Sequence, residues 1–391
     1  MQTKASTIDT GLRGVPVAST RISYVDGEQG KLLYRGYRIQ DLAEGASYEE
    51  VVHLLLQDKL PDSGELADMR DAMAQEREMP EHVLQALRVL SGRSRPMDVL
   101  QGMVPLLAHG DADLGNTSKE ASRRIGVRLV SRLPVLIASW HRWRQGLDPV
   151  IPDPQLGQAA NFLYMLSGHS PDPQAAQYLD TCLVLHAEHS LNASTFAARE
   201  ICSTRAHMYS AVSAAVGSLS GELHGGANAR VMQMLEEIGS KDRVKQYVQS
   251  TLDKGGKIMG MGHAVYRTMD PRAWILASIS RRLGERSSNP KWYELSVELE
   301  RQAREYFRHK KGRDIYPNVD FYSATVYSYL GIPVDLFTPL FAAARVAGWA
   351  AHVIEERHAE AAETALYRPS SEYVGDYCGS QECAFVPLEN R

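Results

Sequence analysis

The sequence predicts a mainly α-helical chain with one small β-hairpin near its start. Three observations carry that expectation: apolar residues recur at spacings of three and four over most of the length, short Gly/Pro/Ser/Asn breaks separate these stretches, and strand-like alternation nearly vanishes after Tyr34. The segment from Val15 to Tyr34 alternates in places and carries Asp26-Gly27 and Gly30, turn residues that place the hairpin. Ser47-Tyr-Glu-Glu50 then reads as a capping box, and Val51, Leu54 and Leu55 begin an apolar stripe that Pro61 closes. Leu66, Met69 and Met73 continue the helical period, as do Val83, Leu84, Leu87 and Leu90 after Pro80, a residue suited to a first helical turn. Further helices are expected over 122–145, 157–167, 172–190, 194–219, 228–239, 241–253, 271–284, 289–309, 320–330 and 333–366. The run 207–219 is rich in Ala, Ser and Gly, which lets another helix approach closely within the core or across a subunit contact.

Composition narrows the function. A chain of 391 residues can bury a sizeable core, and 43 basic against 47 acidic residues, a net charge of -4, provide no global field for nucleic acid or an anionic membrane. Charges interrupt every apolar stretch, so no membrane-spanning helix is expected. The start, Met1-Gln-Thr-Lys-Ala-Ser, lacks the apolar core of a secretory signal, and a cytoplasmic location is the expectation. Cys182, Cys202, Cys378 and Cys383 are too few for a disulfide framework and read as reduced thiols.

Three histidines stand beside glycine-rich breaks or helix ends: His189, His224 and His263. His186 falls on an apolar stripe with Leu179, Cys182 and Leu183 and reads as core or as a residue supporting the site from behind. His186 and His189 lack the His-Glu-x-x-His spacing of a metal helix, so no metal is assigned. Phosphate-loop, dinucleotide and Gly-x-Ser-x-Gly patterns are absent, which leaves acid–base groups and arginines. Asp320 stands where a proline-led loop turns into a helix, suited either to an N-cap or to a general base. Arg272 and Arg345 lie in small or apolar company, where a guanidinium needs a carboxylate from the protein or from a ligand. Several histidines, two arginines and one aspartate suit proton-transfer chemistry on a small polycarboxylate.

Six runs, in this order, resemble the citrate synthase family from about Gly11 to about Gly375. They are Gly30-Lys-Leu-Leu-Tyr-Arg-Gly36, His186-Ala-Glu-His189 with Asn192-Ala-Ser-Thr195, Gly221-Glu-Leu-His-Gly-Gly-Ala-Asn228, Gly260-Met-Gly-His-Ala-Val-Tyr-Arg-Thr-Met-Asp-Pro-Arg272, Pro317-Asn-Val-Asp320 and Arg345-Val-Ala-Gly-Trp-Ala-Ala-His352. The resemblance implies a helical two-domain fold, with 1–224 and 329–391 as the large domain and 225–328 as a small mobile one. It implies an acyltransferase that condenses acetyl-CoA, a co-substrate, with oxaloacetate and hydrolyses citryl-CoA, without a permanently bound cofactor. Asp320 would take the methyl proton, His224 would stabilise the enol or enolate, and His263 would protonate the oxaloacetate carbonyl. His189, Arg272, Arg345 and Arg368 would hold oxaloacetate, with Arg368 lent by the partner of a homodimer. Arg267 would meet coenzyme A phosphates, with the backbone of Ile258, Gly260 and Gly262 near the adenine. Ser190 and Arg313 depart from residues frequent in relatives, Glu and Lys, and leave acyl preference open. A 2-methylcitrate synthase using propionyl-CoA is the alternative within the family, and a non-catalytic carboxylate-binding scaffold the alternative outside it.

Overall fold

The structure is a computed structural model that describes residues 11–12, 14–287, 289–374 and 383–391. Cys378 and the first six residues lie outside them. Three short strands open the described chain: β1 (Ser23–Asp26), β2 (Lys31–Tyr34) and β3 (Tyr37–Arg38). They form one antiparallel sheet in the order β1-β2-β3, with Ser23 opposite Tyr34 and Tyr34 opposite Tyr37. The expected hairpin is present and gains a third strand. Its turn forms because the Asp26 carboxylate accepts the N–H groups of Glu28 and Gln29, and Gly30 takes a φ of 63°.

Sixteen α-helices follow among the described residues. They are α1 (Ile39–Gly45), α2 (Tyr48–Gln57), α3 (Ser63–Gln75), α4 (Glu81–Val89), α5 (Pro96–Leu106), α6 (Lys119–Arg144), α7 (Gln158–Ser167) and α8 (Pro173–His186). The second half holds α9 (Ala193–Ser203), α10 (Met208–Leu219), α11 (Ala227–Ile238), α12 (Lys241–Asp253), α13 (Ala273–Arg286), α14 (Lys291–Lys311), α15 (Val319–Tyr329) and α16 (Phe337–Arg357). The capping box at Ser47 and Glu50 forms as its residues predict, and Asp62 with Glu65 makes a second one.

Several boundaries differ from the sequence expectation. The stretch 194–219 is two helices, because Arg205 turns left-handed at φ 70° between α9 and α10. The helix expected over 172–190 stops at His186, and Ser190 at φ 50° bends the chain into a loop. The stretch 333–366 is a 3-10 turn, Val334–Leu336, followed by α16, which ends at Arg357. Helices α1 and α5 carry no expectation from the sequence; α1 starts without a side-chain cap and α5 contains Pro105.

Helix α16 is the axis of the larger body, packed by α2, α5, α6, α8, α9 and α10. From Phe337 to Glu356 every residue except Phe341 is buried, and the alanines and Gly348 let neighbours approach closely. With the preceding turn it is apolar enough over 24 residues to cross a membrane, yet its apolar window is wholly buried inside the protein, as in a core helix. Helices α11 to α15 pack chiefly on one another, and α11 also meets α16. Cys182 and Cys202 are buried free thiols, whereas Cys383 is disulfide-bonded, which corrects the expectation of four reduced thiols.

One face of α16 holds the loop after α8 residue by residue. Arg345 Nε donates to the carbonyl of His186 (2.6 Å), Gly348 N–H to that of Ala187 (3.2 Å), and Trp349 Nε1 to Ser194 Oγ (3.2 Å). His352 Nε2 pairs with the Glu188 carboxylate at 3.0 Å. The spacing 345, 348, 349, 352 is one helical stripe, so a single helix fixes both ends of the loop. A Cβ on Gly348 would stand 2.3 Å from Glu188 Oε2 and 2.4 Å from the Ala187 carbonyl. Gly348→Ala is therefore expected to destabilise the protein by about 1–3 kcal/mol through overpacking, despite the better helix propensity of alanine. A lowered urea midpoint at unchanged slope is the outcome to look for, and a raised midpoint would contradict the close approach.

Candidate active site

Loops and helix ends bring the site together. His189 lies in the loop between α8 and α9, His224 in the turn between α10 and α11, and His263 between α12 and α13. Arg272 immediately precedes α13, Asp320 stands in the first turn of α15, and Arg345 projects from the middle of α16. The side chains face one another: the rings of His189 and His263 are 5.3 Å apart, and Arg272 and Arg345 both act electrostatically on His189 and Asp320.

Each histidine is held in a defined protonation state. His224 Nε2 accepts the N–H of Ser194 at 3.2 Å and lies 3.0 Å from the Ser194 hydroxyl. The same Ser194 N–H also donates to the Asn192 Oδ1 that caps α9 (3.1 Å), so the donor is a helix-start N–H shared between the cap and the ring. With Nε2 an acceptor, the neutral ring carries its hydrogen on Nδ1. Burial, with Arg345 adding to it, pushes the His224 pKa down to about 4. His263 has the opposite tautomer, because Nδ1 accepts the N–H groups of Val265 (2.9 Å) and Tyr266 (3.2 Å), leaving the hydrogen on Nε2. Its pKa also falls to about 4, through burial and then Arg272. His189 is kept neutral chiefly by burial and shares Nε2 with the Tyr266 hydroxyl at 3.1 Å.

The two arginines differ in a way the sequence leaves open. Arg272 is buried in a two-pronged ion pair with Asp270, at 3.0 and 2.8 Å, so the internal-pair reading holds for it. Arg345 is 2% exposed, donates Nε to a backbone carbonyl and stacks over Phe341 at 4.7 Å, yet its two terminal amines have no acceptor among the described residues. Burial pulls its pKa down to about 10 against the pull of Glu188. A buried guanidinium without a carboxylate is costly and is relieved by an anionic ligand.

Asp320 is not the N-cap: Asn318 takes that role and accepts the Asp320 N–H at 3.0 Å. The Asp320 carboxylate has no hydrogen-bond partner among the described residues. Burial raises its pKa to about 6, further than Arg272 and Arg345 lower it. A carboxylate so poised is a base near neutral pH.

The remaining expected residues fall around this centre. Gly260 and Gly262 have φ of 75° and 88°, and their loop is stitched to the start of α15: Gly260 accepts the Asn318 N–H, and Gly262 N–H donates to Tyr316. The Ile258 side chain is core, so only its backbone can meet a ligand. Arg267 is exposed, with its N–H donated to the Gly27 carbonyl at the sheet tip. Arg368 is exposed and outside this centre; neighbouring Tyr367 is tied to Ser203, at the opposite end of α9 from Ser194, about 14 Å along the helix. Sequence reasoning missed Ser194, Tyr266 and Asp270 as site partners. The Asn-Ala-Ser-Thr cap and the Asp-Pro-Arg turn were their only local signals. Among the described residues, no three His, Cys, Asp or Glu are grouped to hold a metal ion, and His186 instead faces the Tyr327 hydroxyl at 3.0 Å.

A family model described as "Citrate synthase, C-terminal domain" matches residues 11–370. The citrate synthase of Synechocystis is 44% identical over 100% of this chain and 96% of its own length. The crystal structure of citrate synthase from Pyrobaculum aerophilum is 39% identical with a TM-score of 0.90, covering 98% of this chain and 95% of that one. Citrate synthase from Thermoplasma acidophilum, solved as a ternary complex with carboxymethyl coenzyme A and oxaloacetate, is 32% identical with a TM-score of 0.90, covering 98% and 100%.

A reaction that uses Asp320 as base should gain rate with rising pH through about 6, because only the ionised carboxylate accepts a proton. Neutral His224 and His263, with pKa values near 4, add no limb between pH 6 and 8. A pH profile of kcat/KM checks this, and a rate that does not rise between about pH 5 and 7 would contradict it.

Proposed function

The chain belongs to the citrate synthase family, and on that premise we propose that this site condenses acetyl-CoA with oxaloacetate, as an acyltransferase, and then hydrolyses citryl-CoA to citrate and CoA. The observation that carries the reading is the buried Arg345 guanidinium with two unpaired amines, opposite a carboxylate poised to act as base. A dicarboxylate supplies what Arg345 lacks. Arg272, whose Nη1 has no acceptor among the described residues, takes part of the same ligand, and His189 and His263 complete the polar wall.

The chemistry follows from the protonation states. Asp320 removes a proton from the thioester methyl group. His224 presents Nδ1–H to the thioester oxygen and meets the charge that develops there, without gaining charge itself. The enol carbon then attacks the keto carbon of oxaloacetate. His263 presents Nε2–H to the keto oxygen, and because a neutral imidazole is a weak acid, the proton passes only as alkoxide charge develops. Water then cleaves the citryl thioester.

Coenzyme A would lie along the glycine loop, with Arg267 near its phosphates and the backbone of Ile258, Gly260 and Gly262 beside the adenine. The packing of α11 to α15 on one another supports reading 225–328 as a small domain that closes over substrate and excludes water. A homodimer in which Arg368 completes the partner's site is supported by the exposure of that arginine away from its own centre. The half-exposed Ser210 and Ala214, one turn apart on α10, favour close packing of a second copy, whereas Ser213 and Gly217 face Gln101 of α5 within the chain.

CoA release with oxaloacetate and acetyl-CoA tests the activity, and propionyl-CoA in parallel reports the acyl preference, since one methylene alters discrimination by only about 1–3 kcal/mol. Asp320→Ala should bind oxaloacetate yet lose turnover by about 100-fold or more. Near wild-type turnover in that variant would remove Asp320 as the base. Sedimentation equilibrium should give twice the chain mass, and a monomer with full activity would overturn the lent arginine.

A further inference from the structure

The turn that carries His224 has little packing to hold it. Gly221, Glu222 and Leu223 are exposed, Leu223 at 98%, so the hydrophobic effect does not fix the backbone here. Close approach supplies part of the restraint: a Cβ on Gly225 would fall 1.8 Å from the Leu219 carbonyl. Within the turn, the N–H groups of His224 and Gly225 both donate to the Gly221 carbonyl, at 3.0 and 3.1 Å. Three further carbonyls are gathered by one side chain. From the first turn of α11, Arg230 donates Nη2 to Glu222 (2.7 Å) and Gly225 (3.1 Å), and Nε to Gly226 (3.3 Å).

We infer that Arg230 is a positioning residue for the condensation: its planar fork braces the turn that aims His224 at the thioester oxygen. The inference rests on the role proposed above for His224. Charge-assisted bonds from a rigid guanidinium to three carbonyls fix a backbone that lacks packing, whereas the 4.0 Å contact of Nη1 with the exposed Glu222 carboxylate contributes little. An ammonium on a flexible stem cannot reproduce that fork. The His224 ring is pinned at its far end by Ser194, so the brace and the helix cap together define its direction.

Arg230 also has a second, separable effect. Asp320 is faced by Asp270, Arg272, Arg345, Arg230 and Tyr327, and the Arg230 charge is among those that favour its ionised form. Removing that charge raises the Asp320 pKa and moves the acid limb to higher pH.

The experiment compares wild type, Arg230→Gln and Arg230→Lys in the CoA-release assay across pH. Arg230→Gln should lose about 10- to 100-fold in kcat through misplacement of His224, with the oxaloacetate KM within about twofold and the acid limb shifted upward. Arg230→Lys should restore the limb but not the full kcat. Wild-type kcat in Arg230→Gln, or full recovery with lysine, would overturn the brace. The His224 signal in 15N-histidine-labelled protein reads the turn without turnover: in Arg230→Gln it should lose its single Nδ1–H tautomer. An unchanged signal overturns the brace even if the wild type releases no CoA, which would count against the proposed reaction instead. Thermal unfolding of the variants accompanies both, and a kcat loss that merely tracks the unfolded fraction also overturns it.

Discussion

The face of α16 that carries Arg345, Gly348, Trp349 and His352 is the constraint on which the site depends. Each of these residues holds one residue of the loop that begins at His186 or of the helix start at Ser194. The loop carries His189, and Ser194 in turn fixes the ring of His224. A helix buried on all sides is the most rigid support a protein offers, because any shift of it must displace several packed neighbours. The precision with which the site's side chains are placed is therefore inherited from the core. Gly348 shows how close the fit is, since no other side chain leaves space for Ala187 and Glu188.

Electrostatics divides labour between the arginines. Arg272 is neutralised by Asp270 two residues away, so it is rigid before any ligand arrives. Arg345 is left to an external anion, and the buried Glu188 stands near it without pairing with it directly. The Glu188 carboxylate is held ionised although burial alone would raise its pKa; His352, Arg345 and Ser23 outweigh that cost. One Glu188 oxygen has no hydrogen-bond partner among the described residues; it lies against Gly348 and depends on the surrounding positive charge. One paired and one unpaired guanidinium leave the pocket with donors to spare, an arrangement that favours a ligand whose polar atoms only accept hydrogen bonds.

Local sequence signals account for much of this architecture. The capped helices, the early hairpin and the motif positions of His189, His224, His263, Asp320, Arg272 and Arg345 are all legible, because caps, turns and glycine-rich breaks are encoded within a few residues. The break between α9 and α10 is not, since it rests on a left-handed Arg205 in a stretch whose apolar period runs on unbroken. Asp320 is legible as a residue at a helix start but not as a free carboxylate, because Asn318 two residues earlier competes for the cap. The tautomers of His224 and His263 were out of reach: Ser194 lies 30 residues from His224 in sequence, and only tertiary structure brings its N–H to the ring. The same holds for the pairing of the Arg345 run with the His186 run, whose mutual fit is visible only once both are folded.

The sheet tip offers a last consequence. Gly27 approaches the loop after His263 so closely that a Cβ there would stand 2.3 Å from the Val265 carbonyl, and its own carbonyl receives the Arg267 N–H. Segments more than two hundred residues apart in sequence thus clasp the same histidine-bearing loop, and α16 closes the far wall from near the chain's other end. Contacts of such long range close late, because loop-closure entropy must be overcome before they are rewarded. The candidate site therefore draws on contacts between distant parts of the chain, and its completion on refolding is expected to follow the formation of the helices rather than to accompany it.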